Sequence, residues 1–289
     1  MAEANEKNKV SGSTLYLVAT PIGNLSDMSE RAIKVLSEVD FVAAEDTRNS
    51  VRLLTHFGIK KPLVSYHEHN KKEKGGEICA RIEEGESCAL ITDAGTPGIS
   101  DPGEDLVSLC AERNIKVTSI PGACAGINAL VLSGLPTRRF TFEGFLSALK
   151  KERVKQLEEL KNERRTMIFH EAPHKLRATL SDMRDIFGDG RRISLCRELT
   201  KLNEDIMRTT IGEAVAHYEE TEPRGEYVLV VDGCGETEKS AETFFANMTE
   251  EEHVAHYISL GMAKNDAIKA AAKDRGVTKN VIYKIINHN

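Results

Sequence analysis

The chain has 289 residues, of which 40% are hydrophobic and 29% charged, with a formal net charge of −6. That length supports about two domains, each with its own core, and the acidic balance excludes a histone-like binder of nucleic acid while leaving room for a local basic face. No apolar run is long enough to span a bilayer, residues 1–13 lack the apolar stretch of a signal peptide, and the cysteines form no Cys-x-x-Cys pair, so the reading is a cytoplasmic protein with reduced thiols and no metal.

After a flexible tail over 1–13, strand-like and helix-like segments alternate. Strands over 15–18, 41–44, 63–66, 88–91 and 116–120 lead into helices over 29–38, 47–57, 72–84, 104–113 and 123–133. Gly58, Gly85 and Gly134 stand where helices should close, and Thr47 is placed to cap the second helix. Such a series predicts a mostly parallel sheet over 14–137. Leu135-Pro136-Thr137 reads as a hinge to a second α/β domain over 138–234. Its strands are expected at 140–145, 166–169, 192–196, 206–210 and 227–232, with helices at 150–162, 175–187 and 211–220. The cleft between the two domains is the natural ligand site.

Residues 235–289 differ in character. The stretch 236–252 holds six glutamates against one lysine and reads as an acidic linker running into a short helix. Residues 261–289 hold five lysines and one arginine against two aspartates. They read as a helix over 264–275, a turn at 276–278, and a second helix over 279–286 with Thr278 as its N-cap. Ala267, Ala271, Val277, Val281 and Ile285 would form the shared apolar face. The outline is that of a helix-turn-helix, which can contact nucleic acid, or of a small hairpin docking on its own protein.

Four strand ends of the first sheet carry constrained loops. The most informative is Thr92-Asp-Ala-Gly-Thr-Pro-Gly-Ile-Ser-Asp-Pro-Gly103, where glycines permit positive φ and prolines stiffen the turn around Asp93 and Asp101. The others are Ala19-Thr-Pro-Ile-Gly-Asn-Leu25, Glu45-Asp-Thr-Arg48 and Pro121-Gly-Ala-Cys-Ala125. Open α/β sheets bind ligands at this carboxyl edge. Neither a Gly-x-x-x-x-Gly-Lys-Ser/Thr phosphate cradle nor a Gly-x-Gly-x-x-Gly after the first strand occurs, so a nucleotide triphosphate and a dinucleotide are disfavoured.

In the second domain, His170-Glu-Ala-Pro-His174 fits the zinc-protease pattern His-Glu-x-x-His. That chemistry needs one continuous helix, which Pro173 forbids. The better reading is a strand-end turn that brings Glu171 and His174 to the cleft. Arg197-Glu-Leu-Thr-Lys201 follows the next strand, either as a salt-bridged knot or as a group that contacts a phosphodiester and handles a proton. Basic clusters at Lys71, Lys72 and Lys74, at Arg138 and Arg139, at Lys150, Lys151, Arg153 and Lys155, at Arg164 and Arg165, and at Arg191 and Arg192 hint at a polyanion track.

These motifs, in this order, resemble the ribosomal RNA small subunit methyltransferase I family of the tetrapyrrole methylase superfamily. The resemblance covers roughly 14–232 and extends to the C-terminal helical module. It implies a two-domain α/β class III methyltransferase fold, homodimeric, with S-adenosylmethionine in the inter-domain cleft. It also implies 2′-O-methylation of a cytidine in the decoding region of 16S ribosomal RNA, with the RNA met within the small ribosomal subunit. By motif position, Pro21, Asp93, Gly95, Thr96, Gly98, Ala123, Cys124 and Ala125 would hold the cofactor, closed over by Phe169, Tyr227 and Leu229. One departure is His67-Glu-His69-Asn70, where a simpler His-Asn pair is expected.

Methyl transfer from a sulfonium is an in-line displacement that positioning alone can accelerate, and it needs neither a metal nor a covalent nucleophile. A ribose hydroxyl benefits from a nearby base, for which Asp46, Glu198 and Lys201 are candidates. Arg48, Asp101, Glu171, His174 and Arg197 are candidate substrate contacts. The rival enzyme is a methyltransferase acting on a tetrapyrrole or another small molecule, which would need neither the basic clusters nor the helical tail.

Overall fold

Alternating apolar strands and amphipathic helices build a parallel sheet in the first half of the chain. The computed structural model describes residues 9–234, 245 and 248–287. Its first sheet contains β1 (Thr14–Val18), β2 (Phe41–Ala44), β3 (Leu63–Ser65), β4 (Ser87–Ile91) and β5 (Lys116–Ile120), in the order β3-β2-β4-β1-β5 and wholly parallel. Helices α1 (Glu30–Glu38) and α2 (Thr47–His56) bury Val35, Leu36 and Leu54 against Val18, Val42 and Ile91. Helices α3 (Lys71–Glu83) and α4 (Gly103–Glu112) bury Ile78, Ile82 and Leu106 against Leu15, Phe41 and Leu90 on the opposite face. Both faces are therefore covered, which is why these strands read as unbroken apolar runs.

The second sheet contains β6 (Phe140–Phe145), β7 (Thr166–Glu171), β8 (Arg192–Arg197), β9 (Asp205–Thr210) and β10 (Tyr227–Val231), in the order β6-β7-β10-β8-β9. Only β6 and β7 run parallel; the other neighbours are antiparallel. One face packs on α6 (Lys150–Glu159), α7 (Pro173–Phe187) and α8 (Ile211–Glu220), around Leu157, Phe169, Leu180, Ala214 and Leu229. Pro173 is the first residue of α7, where its missing N–H costs nothing.

The helix after β5, α5 (Ala125–Ser133), leaves the sheet that precedes it. Its Ala129 and Leu130 pack against Ile168, Cys196, Val228 and Val230 on the other face of the second sheet. Because α5 is shared in this way, the described residues up to Gly233 form one compact unit containing both sheets, and a second unit begins at Cys234.

That second unit is a three-helix cluster: α9 (Glu250–Ser259), α10 (Lys264–Asp274) and α11 (Lys279–Asn287). Its core is Val254, Ala267, Ile268, Ala271, Ala272 and Ile282. The expected face was right for Ala267 and Ala271 but one residue out on α11. Val277, Val281 and Ile285 are exposed, whereas Ile282 and the partly buried Ile286 point inward. One residue is about 100° on a helix, enough to exchange inside for outside. Residues 235–244 of the acidic linker and residues 1–8 of the tail lie outside the described residues. At the end of the tail, the Ser13 N–H donates to Glu86 O at 3.0 Å and the Ser11 N–H to the Tyr16 hydroxyl at 2.8 Å, so 11–13 is fixed chain.

Candidate active site

The strand-end loops of the parallel sheet and the α5 face of the second sheet line a cavity of about 1090 Å³. The loop over 92–103 holds itself in shape. The Asp101 carboxylate accepts the N–H groups of Gly98 at 2.9 Å, Ile99 at 3.1 Å and Gly103 at 2.7 Å. A charged acceptor serving three amides is a strong local constraint. Gly103 is required by this closure, since a Cβ there would stand 2.6 Å from Asp101 Oδ1 and 2.8 Å from Gly98 N. Gly95 adopts φ +85°, a region costly for a residue with a side chain.

The neighbouring loops are tied to this one. Thr20 and Gly95 exchange backbone hydrogen bonds at 2.9 and 3.1 Å. The Thr96 hydroxyl donates to the Ala123 carbonyl at 3.0 Å. Behind the loop, the Thr92 hydroxyl donates to Glu45 at 2.8 Å, and the Asn49 amide donates to Asp93 at 3.2 Å. Four strand ends are thus one connected rim, and Glu45, Asp93, Gly95, Thr96, Gly98, Cys124 and Ala125 all border the cavity.

The second sheet supplies the opposite wall. Ile168 and His170 of β7, Cys196 of β8 and Val228 of β10 face inward, beside Phe142 and Phe145 of β6. A register shift between Phe142 and Gly144 lets both phenylalanines align with Ile168 and His170 despite their three-residue spacing. The His170 ring meets Phe142 and Phe145 edge-on, at 5.2 and 5.4 Å between centroids. Burial holds its pKa below the ordinary histidine value, so it is a neutral imidazole.

At the cavity margin, Lys201 Nζ donates to Glu198 at 2.9 Å and to Glu226 at 2.8 Å, and the Glu226 N–H also donates to Glu198. The backbone N–H of Glu226 and the Lys201 ammonium lower the Glu198 pKa. Burial works against the charge on Lys201, but the Glu226 and Glu198 carboxylates more than offset it and the pKa rises. Glu198 and Thr200 both adopt positive φ, at 51° and 66°. Of the two readings of 197–201, the geometry is that of the salt-bridged knot.

Several expected site residues are placed differently. Asp46, rather than Thr47, is the N-cap of α2, accepting the Arg48 N–H at 2.8 Å. Its carboxylate also grips the Arg48 guanidinium, and these hydrogen bonds hold its pKa down to about 2. It lies outside the cavity lining, and so weak a base is a poor acceptor for a hydroxyl proton. Arg48 is correspondingly engaged with Asp46. Phe169 and Leu229 lie in the core on the far side of the second sheet, because side chains alternate along a strand and the cavity takes 168, 170 and 228. Tyr227 borders the cavity at a strand end.

Pro21 lines an adjoining cavity of about 400 Å³ with Asn49, Arg52 and His56, which shares Thr92 and Asp93 with the larger one. Ala123 contributes its carbonyl to Thr96 rather than a cavity surface. Asp101 borders the cavity, but its carboxylate is taken up by its own loop. Glu171 borders the cavity but its side chain is buried, bonded to Thr179 at 2.5 Å and Lys175 at 2.9 Å. His174 is exposed at the cavity edge, and Arg197 is not among the lining residues. In the 67–70 turn, Asn70 accepts the His67 N–H and donates to the Ser65 carbonyl, which makes this departure a loop closure.

Many of the basic clusters are neutralised at home. Arg153 pairs with Asp182, Arg165 with Glu163, Arg192 with Asp232, and Lys71 with Glu68 and Asp105. Arg138 and Arg139 are exposed and carry no ion pair among the described residues. No helix among the described residues is long and apolar enough to cross a membrane.

Sequence reasoning missed His170, Phe142 and Phe145 as cavity residues. His170 was visible only as half of a discarded zinc pattern. The phenylalanines needed the bulge at Gly144, which adopts φ +65°.

A sequence model of the tetrapyrrole (corrin/porphyrin) methylases matches residues 14–215. A Halalkalibacterium halodurans protein named ribosomal RNA small subunit methyltransferase I is 50% identical over 272 residues, covering 94% of each chain. A Bacillus subtilis protein of the same name is 48% identical over 270 residues, covering 93% of this chain and 92% of its own. Among solved structures, diphthine synthase superposes with a TM-score of 0.60 at 13% identity, over 76% of this chain and 89% of its own. Uroporphyrin-III-C-methyltransferase from Thermus thermophilus superposes with a TM-score of 0.53 at 19% identity, over 76% and 94%. At these identities the two structures speak for the fold alone.

Proposed function

This chain belongs to the tetrapyrrole methylases and, within them, to the ribosomal RNA small subunit methyltransferase I family, and from that premise we propose that it transfers a methyl group from S-adenosylmethionine to the 2′-hydroxyl of a cytidine in the decoding region of 16S ribosomal RNA. The observation that carries the reading is the convergence of four tied strand-end loops on one large cavity. Its loop end suits this cofactor. Asp93 is a carboxylate that complements a sulfonium or an ammonium, and Gly95, Cys124 and Ala125 allow a flat group close to the backbone.

S-adenosylmethionine, when bound, supplies the activated methyl group. The residues of the chain hold the acceptor oxygen in line and take up its proton. With Asp46 outside the cavity, Glu198 and Lys201 locked as charged partners and Asp93 given to the cofactor, Glu45 is the carboxylate we assign to that proton. Lys201 and Glu198 become positioning residues that fix the margin between Glu226 and the strained 198–200 turn. Arg138 and Arg139 supply charge for the RNA backbone outside the acidic cavity.

A homodimer is part of the same proposal. Val131 of α5 stands 69% exposed, an apolar side chain suited to contact with a second copy. Val131→Glu is expected to shift sedimentation from dimer to monomer.

The test is transfer of tritium from labelled S-adenosylmethionine to small ribosomal subunits from a strain lacking this protein, followed by mapping of the nucleotide. One ribose-methylated cytidine in the decoding region supports the reading. Cofactor binding without transfer to subunits or free RNA turns it toward a tetrapyrrole or other small-molecule acceptor.

A further inference from the structure

The cavity has two chemically different ends. Backbone, small residues and carboxylates make the loop end, while Phe142, Phe145 and His170 make the other. Its volume of about 1090 Å³ lies at the upper end of ligand pockets, roughly 300–1,000 Å³, and so leaves room for more than a small cofactor. Two molecules can therefore sit side by side, and the aromatic end needs an occupant of its own.

Three features define that occupant. Phe142 and Phe145 are exposed to 39% and 54% although they border a cavity, so their rings offer unused π-surface. His170 is held edge-on by both rings and its Nε2 is buried without a hydrogen-bond partner. Buried polar atoms are nearly always satisfied, and an orphan beside a cavity asks for a partner that arrives with a ligand. A flat aromatic ligand with hydrogen-bonding atoms on its edge meets both demands, which is the chemistry of a nucleobase turned out of its stack.

Resting on the RNA reading above, we propose that Phe142, Phe145 and His170 form the pocket for the base of the nucleotide that is methylated. The phenylalanine rings contact the base and His170 Nε2 hydrogen-bonds its edge. The ribose of that nucleotide then lies between the base pocket and the loop end, between the two groups that must react.

His170→Phe and His170→Asn separate this role from simple packing. Phenylalanine keeps the ring and removes the orphan nitrogen; asparagine keeps a hydrogen-bonding group and packs worse. If His170 binds the base, kcat/KM on small subunits should fall in the order wild type, Asn, Phe, with the Phe variant down about 10- to 100-fold, the scale of one buried hydrogen bond lost to a substrate. The Phe variant should nonetheless gain about 2–4 °C in Tm, because a buried unpaired polar atom is gone. The Kd for S-adenosylmethionine should stay within twofold.

Full activity in the Phe variant with loss in the Asn variant would reduce His170 to packing and overturn the proposal. A large rise in the cofactor Kd of the Phe variant would hand this end of the cavity to the cofactor and overturn it as well. Wild-type protein that binds cofactor but methylates no RNA is a different result, because there the RNA reading itself fails.

Discussion

The two sheets meet the cavity in different ways. The parallel sheet is covered by helices on both faces and contributes only its ends, through loops whose shape is set by glycine, proline and a few local hydrogen bonds. The second sheet contributes a face. There the contribution of each residue depends on strand parity, and a shift of one position moves a side chain from cavity to core. A site built on strand ends is written in local sequence; a site built on a sheet face is written in register.

The largest test of this contrast is Phe169→Ala against Phe142→Ala. Phe169 is fully buried on the core side, so its truncation should cost about 3–5 kcal/mol in urea unfolding. Phe142 is half-exposed in the cavity, so its truncation should leave stability within about 1 kcal/mol while lowering RNA methylation. Equal stability losses would break the distinction between the two faces.

Next comes Asp101→Asn, which asks whether loop shape is truly local. The substitution removes the charge that serves three backbone N–H groups and places an amide donor against them. Cofactor affinity, measured by calorimetry, should weaken at least about tenfold, since hydrogen bonds to charged groups contribute about 1.5–3 kcal/mol each. Unchanged affinity would mean that the loop is held from outside.

A smaller effect should follow pH at the Glu198–Lys201–Glu226 knot. The Glu198 pKa is lowered in the fold, so its contribution is present above the ordinary value of 4.5 and fades as pH falls through the lowered one. The Lys201 pKa is raised, so its contribution is present below 10.5 and fades as pH rises through the raised one. The knot's own contribution to the urea midpoint should be flat between these limits and fall outside them, and Glu198→Gln should remove its acid limb. Smallest of all, Asp46→Asn should leave turnover within about twofold, as expected of a partly exposed capping residue. A collapse of kcat at unchanged cofactor affinity would restore Asp46 as a catalytic residue.

The sequence by itself determined the alternation of strands and helices, the parallel first sheet and the four strand-end loops. Each of these is a local signal: apolar runs, helix-closing glycines, Pro97 and Pro102 in one turn. It also carried the family resemblance, because those loops are contiguous in the chain. The tertiary structure decided the rest. It turned Ile168 and His170 rather than Phe169 to the cavity, brought Phe142 and Phe145 together across a bulge, and committed Asp101 to its own loop. It also moved α5 onto the second sheet, which joins the two expected domains into one unit. The physical reason is the same in each case. Burial and hydrogen bonding depend on which surfaces meet, and that is fixed by packing between segments tens of residues apart rather than by the order of residues within one.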